Sequence, residues 1–365
     1  MNLLPLSNPH GGLSISEEAL CLVEMNHGWR HRSFKQVTRI PLSSGLLKLS
    51  SAKPNILQLT EFKDQLRQIR QSKRTPLPVA VSLPDLCART TIFEFSHFPK
   101  KVAEQRALLT WRFQQDLKLD TSQSRLAYGV YAPLPRADSQ APHNPDRVLV
   151  LAAAIRNEVV EQFEQACMDV DLLPISVGVA GLDIFDAYQA TMQDILEAGQ
   201  RRTLTSFPGG LFLYLSHWGF SFMAFKDGCP QFLRTKAITI RKDTQEIPSS
   251  SDDQAGQSPY PHYTIMKVTK EILATIQYYL ESFPLEAPLP ATLNLFMITD
   301  LDQSASLLPS GEQFNQTFQA CNYQETRLQV TPLSPADLLN PKRSLTLSEH
   351  EAGAALPGYA RLRVA

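Results

Sequence analysis

Strand-like and helix-like stretches alternate along this chain in two comparable halves, divided by a polar joint, "GQRRTLTSFPGG", at residues 199–210. A strand repeats its apolar positions every second residue and a helix about every 3.6, so alternation between the two periods restricts the fold to an α/β architecture. Two such halves mean two lobes.

In the first half, "LSISEEALCLVEM" reads as a strand, a turn and a second strand, and "SFKQVTRIPL" continues the sheet. Residues 59–72 set Leu59, Phe62, Leu66 and Ile69 on one helical stripe. "PLPVAVSLP" is a buried strand and "ARTTIFEF" an alternating one; the helix "KVAEQRALLTWRFQQDL" follows with Leu108 and Trp111 on its inner side. "RLAYGVYA" and "RVLVLAAA" are strands separated by the surface loop "PLPRADSQAPHNPD". "NEVVEQFEQACMDVDL" is an amphipathic helix opened by an Asn cap, "LPISVGV" a strand, and residues 181–198 a longer helix. The second half supplies the strands "LFLYLS", "FSFMAFKDG" and "QFLRTKAI", a long polar loop, a strongly patterned helix over 264–283 and the strand "TLNLFMITD".

A formal net charge of -1 leaves no basic excess to neutralise phosphates, which argues against a nucleic-acid binder. The 5 cysteines stand far apart with no C-x-x-C pair, a pattern that fits a reduced, cytoplasmic protein better than a zinc site or a secreted disulfide framework. The sequence opens with no leader pattern and contains no apolar run of bilayer length, so attachment to a membrane is expected to come through another protein. Neither a nucleophile elbow, nor H-E-x-x-H, nor a Walker A loop occurs. His217, beside Trp218, reads as an ordinary histidine, and Asp300 and Asp302 as a solvated turn with too few ligands for a divalent cation. Trp111 reads as core; Phe113 is left open.

Several stretches in order resemble the PilM family of type IV pilus assembly proteins, which has an actin-like, FtsA-like fold, and the related cytoplasmic domain of GspL. "GLSISEEALCLVEM" resembles the family's opening G-I-D-I-G-x-x-x-V-K-x-V-E-L, and "LPVAVSLPDLCARTTIFEF" followed by "EQRALLTWRFQQDL" is similar to its inserted subdomain. "VLVLAAAIRNEVVEQFEQACMDVDLLPISVGVAGL" is the most specific stretch; "FMAFKDGCPQFLRT" and "VTKEILATIQYYLESF" look like the second-lobe hairpin and the helix after it. The resemblance implies an α/β, actin-like two-lobe fold of the ribonuclease H-like class with an FtsA-type inserted subdomain. Its divisions are an N-terminal tag at 1–10, a first-lobe core at 11–84, an inserted subdomain at 85–174 and a first-lobe return at 175–205. A second lobe at 206–345, with 241–290 as its smaller subdomain, and a C-terminal segment at 346–365 complete it.

Actin-like ATPases grip nucleotide with two hairpin turns and a glycine-rich turn. Laid on the family pattern, the first hairpin's aspartate becomes Ser14, its glycine Ser16 and its lysine Cys21, with Glu17 and Glu18 in the turn where phosphate would lie. In the second hairpin Tyr214 and Ser216 replace the D-x-G pair, Gly219 being a partial rescue, and "ITDLDQS" replaces the glycine-rich turn. The expectation is a pseudo-ATPase with no cofactor, weak ATP and magnesium binding staying open.

The family's partner is PilN, a bitopic membrane protein whose cytoplasmic tail carries an (I/V)-N-L-L-P element held in a groove between the first-lobe core and the inserted subdomain. The resemblance therefore implies a cytoplasmic adaptor, peripheral at the inner membrane through a PilN-like tail, with Phe93, Phe95, Leu108 and Phe113 in the region of the groove. This chain also carries "NLLP" at Asn2, Leu3, Leu4 and Pro5. Three accounts of that tag stand open: self-recognition or head-to-tail association, descent from a partner's reading frame, or coincidence. A nucleotide-binding ATPase of the same fold and a split GspL-like component are the alternative functions.

Overall fold

The structure, a computed structural model, describes residues 8–27, 32–70, 75–131, 148–200, 209–238, 262–282, 291–300, 311–321, 325–335, 338 and 349–364. The first lobe is built on strands β1 (Gly11–Ile15), β2 (Ala19–His27), β3 (Arg32–Pro41), β4 (Leu77–Leu83) and β8 (Leu172–Val179), in the spatial order β3-β2-β1-β4-β8. β1 and β2 form an antiparallel hairpin, β3 adds antiparallel to β2, and β4 and β8 add in parallel. The second lobe repeats this topology with β9 (Gly209–Ser216), β10 (Gly219–Lys226), β11 (Cys229–Ala237), β12 (Thr292–Thr299) and β13 (Arg327–Pro332), in the order β11-β10-β9-β12-β13. The halves read from the sequence are thus duplicates: a three-stranded meander followed by two parallel strands, which need crossover connections.

Helices α1 (Leu59–Arg70) and α3 (Asn157–Met168) cover the outer face of the first sheet, where Phe62, Leu66, Val159 and Phe163 join Leu13, Leu22, Val79 and Val81. Leu59 belongs to the expected stripe but is exposed, because the helix begins there and its first turn overhangs the sheet. Asn157 is the first residue of α3 and makes no capping bond; Arg156 takes the cap position. On the second lobe, α5 (His262–Ser282) and α6 (Gly311–Ala320) pack Val268, Ile272, Ile276, Phe314 and Phe318 directly on the sheet. The remainder of the expected smaller subdomain, 241–261 and 283–290, lies outside the described residues.

Two helices occupy the inner layer, and each crosses to the other lobe. α4 (Ala180–Gln200) follows the last first-lobe strand, yet sets Ile184, Phe185, Tyr188 and Met192 against Phe212, Met223 and Phe225 of the second sheet. α7 (Glu349–Val364) follows the second lobe, and its Ala352 and Ala355 pack on Cys21, Val23 and Ala80 of the first. Small residues let α7 lie close: a Cβ on Gly12 would stand 2.1 Å from the Gly358 carbonyl oxygen. That leaves room for nothing but hydrogen at either position.

The insertion between β4 and β8 carries the antiparallel sheet β5-β7-β6, made of β5 (Arg89–Phe95), β6 (Ser124–Tyr131) and β7 (Val148–Arg156), with α2 (Val102–Leu117) on one face. The chain is back on the first-lobe sheet with α3, earlier than the expected return at 175. Inside the insertion, Leu109 and Phe113 are the buried residues of α2 and Leu108, as expected, packs against their cluster, whereas Trp111 is 52% exposed, which corrects its expected place on the inner face. The physical reason is spacing: Leu109 and Phe113 stand four apart and share a face, whereas Trp111 lies about 200° round the helix from Leu109.

Candidate functional site

Two places deserve the name of site: the cleft between the lobes and a groove in the first. The cleft is formed by the two equivalent hairpin turns. In the first, Ser16 Oγ donates to the Ala19 carbonyl at 3.0 Å, and the Ala19 N–H is directed back to Ser16 Oγ at 3.0 Å. The turn is therefore tied to itself instead of presenting its N–H groups to a ligand. Ser14 is buried in β1, opposite Cys21 in the ladder. Cys21 does not face the cleft: it lies under α7, and burial pushes its thiol up to about 12, against the pull of Arg39.

From the second hairpin, the Tyr214 hydroxyl and the Ser216 hydroxyl each donate to Asp300 Oδ2 at 2.9 Å. Asp300 is thus not a solvated turn residue. Burial raises its pKa, opposed by His217 and by the two donated hydrogen bonds. Asp302 lies outside the described residues. Gly219 has φ 139, and a Cβ there would meet the Lys236 carbonyl oxygen at 2.1 Å, so the pairing of β10 with β11 accounts for this glycine. Across the cleft, His217 Nδ1 stands 2.7 Å from Glu18 Oε1. What space remains is about 10 Å³, lined by Ser14, Ser16, Glu18, Arg39, His217 and Asp300. That is room for about one water molecule. Two of the groups lining this space, Glu18 and Asp300, are carboxylic acids, the wrong sign to attract phosphate.

Beside this cleft a second buried carboxylate joins the lobes. Asp85, just past the end of β4, accepts the Gly181 N–H at 2.9 Å and the Ser221 hydroxyl of β10 at 2.7 Å. Burial raises its carboxyl to about 6 in spite of both bonds.

The groove is a cavity of about 470 Å³ between the insertion and the first-lobe core. Its walls are β6 and β8, each the outermost strand of its sheet among the described residues. Its floor is apolar, with Leu151, Ala153, Ile155, Val160, Val177 and Leu182. Arg125 and Glu164 mark one end as a two-pronged ion pair, with Arg125 Nη2 to Glu164 Oε2 at 2.8 Å. At the other end Arg361 of α7 pairs with Asp183 Oδ1 at 3.2 Å and donates from Nε to Ser176 Oγ at 2.9 Å. Burial pushes Asp183 up to about 7 and Asp186 to about 6, with Arg361 opposing both.

Phe93, Phe95 and Phe113 do not line this groove. They form the insertion's own core with Leu109, and Leu108 packs against that cluster. Phe93 meets Phe113 edge-on at 5.2 Å between ring centroids. Above the apolar floor, the strands β6 and β8 contribute short or polar lining residues such as Ala127, Gly129, Ser176 and Gly178. They carry no sequence signal except that β6 and β8 end up as edges. The tag at Asn2–Pro5 lies outside the described residues.

No family model matches this chain, and no curated protein does. Among solved structures, a chain of a PilM–PilN type IV pilus biogenesis complex matches with TM-score 0.65 and 15% identity, over 98% of this chain and 97% of that one. A Bacteroides thetaiotaomicron protein of unknown function with an actin-like ATPase fold matches with TM-score 0.48 and 9% identity, over 90% of this chain and 93% of that one. The cytoplasmic domain of EpsL, an inner membrane component of the type II secretion system of Vibrio cholerae, matches with TM-score 0.40 and 8% identity, over 95% and 93%. The resemblance to PilM that the sequence suggested therefore holds for the fold: this chain is built, over nearly its whole length, on the actin-like two-lobe scaffold.

Proposed function

We propose that this chain is a non-catalytic adaptor of a type IV pilus or related secretion platform, and that it binds the cytoplasmic tail of a PilN-like inner-membrane protein in the groove between β6 and β8. The observation that carries this reading is the 470 Å³ apolar-floored cavity walled by two strand edges that are unpaired among the described residues. An extended segment laid there gains main-chain hydrogen bonds from an edge, while its alternate side chains fill the floor. A proline at the end of such a segment lowers the entropy lost on ordering it. The likeness in fold to a chain of the PilM–PilN complex supports the same assignment.

The absence of catalysis is part of the proposal. The cleft that would hold ATP in this fold is closed by side chains, which counts against the alternative of an active ATPase. No described helix is long and apolar enough to cross a membrane, so a membrane-bound partner would supply the attachment. A split GspL-like component would share this scaffold, and the partner tail that binds would separate the two.

A fluorescein-labelled peptide with an Ile-Asn-Leu-Leu-Pro core, titrated into the protein and followed by anisotropy, tests the reading. Saturable micromolar binding is expected, with no binding of the scrambled order. Ala127→Arg, an exposed change inside the groove, should abolish it. A folded protein that ignores the peptide would end the proposal. The same titration after removal of residues 1–7 shows whether the chain's own tag competes. A thermal shift with ATP and magnesium is expected to show nothing; a saturable rise would reinstate the ATPase alternative.

A further inference from the structure

The charges along the groove do not balance at its two ends. At the Arg125 end, guanidinium and Glu164 carboxylate satisfy one another through paired bonds. At the Tyr131 end, Arg361 is the one cation among the lining residues, and it is already engaged by Asp183 and Ser176. Asp186 shares that end and makes no hydrogen bond or ion pair among the described residues. Among the described residues, two carboxylates against one guanidinium leave one carboxylate without a hydrogen-bonded partner, at a defined place on the rim of an apolar trough.

We infer that Asp186 reads a basic side chain, Lys or Arg, carried by the bound segment at the Tyr131 end of the groove, next to its apolar residues. This inference rests on the groove reading above and adds its charge rule. The geometry permits the contact because Asp186 lies two turns into α4, where its carboxyl reaches the mouth of the cavity without leaving the helix. The environment favours it as well. The Asp186 side chain is exposed at the rim, so a cation on a ligand can reach it, and such a cation would favour its ionised form. An acidic residue at the same ligand position would meet Asp186 with like charge. Asp183 is a poorer reader, since Arg361 occupies it. At the opposite end Glu164 is occupied by Arg125 in the same way.

The test uses the full chain and a set of synthetic eight-residue peptides with a Val-Asn-Leu-Leu-Pro core. Each non-core position carries Lys, Gln or Glu in turn, and binding is followed by anisotropy. At one position Lys should bind about tenfold more tightly than Glu, the scale of a partly desolvated charge contact. Asp186→Asn should reduce that preference to within about twofold, and Asp186→Lys should reverse it. Circular dichroism and thermal melting check that both variants fold. Peptides that bind the native protein without a Lys preference, or with one that Asp186→Asn leaves intact, would overturn the inference while leaving the groove reading in place. If no peptide binds and Ala127→Arg changes nothing, the groove reading itself fails and takes this inference with it.

Discussion

Glu18 and His217 meet across the two lobes, with His217 Nδ1 2.7 Å from Glu18 Oε1. They occupy the equivalent hairpin turns of duplicated sheets, β1–β2 and β9–β10, so the contact joins the two points that would straddle the phosphates of a nucleotide in this fold. The pair stands beside the Tyr214–Asp300 and Ser216–Asp300 hydrogen bonds, and Glu18, His217 and Asp300 line the same small space.

Cutting this contact should loosen the turns without unfolding the lobes. With the Glu18 side chain 47% exposed, Glu18→Gln or His217→Ala is expected to cost no more than about 1 kcal/mol. Amide hydrogen exchange should quicken at residues 16–18 and 217–218 and stay unchanged in the centres of β1 and β9. Unaltered exchange in both turns would show that the pair holds nothing closed.

The approach of Gly12 to Gly358 makes a sharper prediction. A Cβ on Gly358 would lie 2.8 Å from the Ser14 nitrogen and 2.9 Å from the Gly12 carbonyl carbon, both backbone atoms that cannot turn aside. Gly358→Ala should therefore push α7 off the first sheet and cost about 1–3 kcal/mol in urea unfolding. Gly311→Ala, where the nearest neighbour is 4.0 Å away at the start of α6, serves as the comparison and should stay within about 0.5 kcal/mol of the parent.

The buried carboxylates give the protein a characteristic response to pH. Asp85 and Asp183 are raised from 3.8 to about 6 and about 7 respectively, chiefly by burial. A carboxyl whose pKa is higher folded than unfolded holds extra proton in the native state between the two values. Its contribution is then fully present below the unfolded value of 3.8 and is lost as pH rises through 6 and 7. Stability measured by urea unfolding should thus be eroded by these groups between pH 5 and pH 8. Asp183→Asn should flatten that dependence, narrowing the difference between the two pH values by on the order of 1–3 kcal/mol. An unchanged slope in the variant would mean that Arg361 keeps Asp183 ionised throughout.

Neighbouring aromatic residues on α2 should behave in opposite ways. Phe113 is fully buried against Phe93, whereas Trp111 is 52% exposed. Phe113→Ala is expected to cost about 3–5 kcal/mol, and Trp111→Gln less than about 0.5 kcal/mol. Comparable losses from the two substitutions would place Trp111 in a packed interface after all.

Much of this molecule was legible from residue order. The all-buried run of β9, "GGLFLYLS", and the alternating β5 announce a central strand and a half-covered one, and the 3.6-residue stripe of α5 survives intact as Val268, Ile272 and Ile276. The two hairpins that carry Ser14, Ser16, Tyr214 and Ser216 could be located because hairpins are local and their residues count off from the strands. Phe93, Phe95, Leu108 and Phe113, expected in the region of the groove, pack in the insertion's own cluster for the complementary reason. Large apolar side chains attract attention in a sequence, but in a small subdomain they are needed for its own core.

What the sequence alone determined is therefore the local grammar: which stretches are strands, which are helices, and that there are two lobes. Only the tertiary structure decided that β6 and β8 become neighbouring edges, that Asp186 stands at the groove mouth, and that Arg361 reaches Asp183. The same holds for Glu18 and His217, which meet only after both sheets have formed and the crossing helices α4 and α7 have set one against the other. Strand and helix period is written in neighbouring residues, and can be read there. An edge, a cavity or a contact between lobes depends on which distant segments pack together, and that is settled by the burial of the whole core.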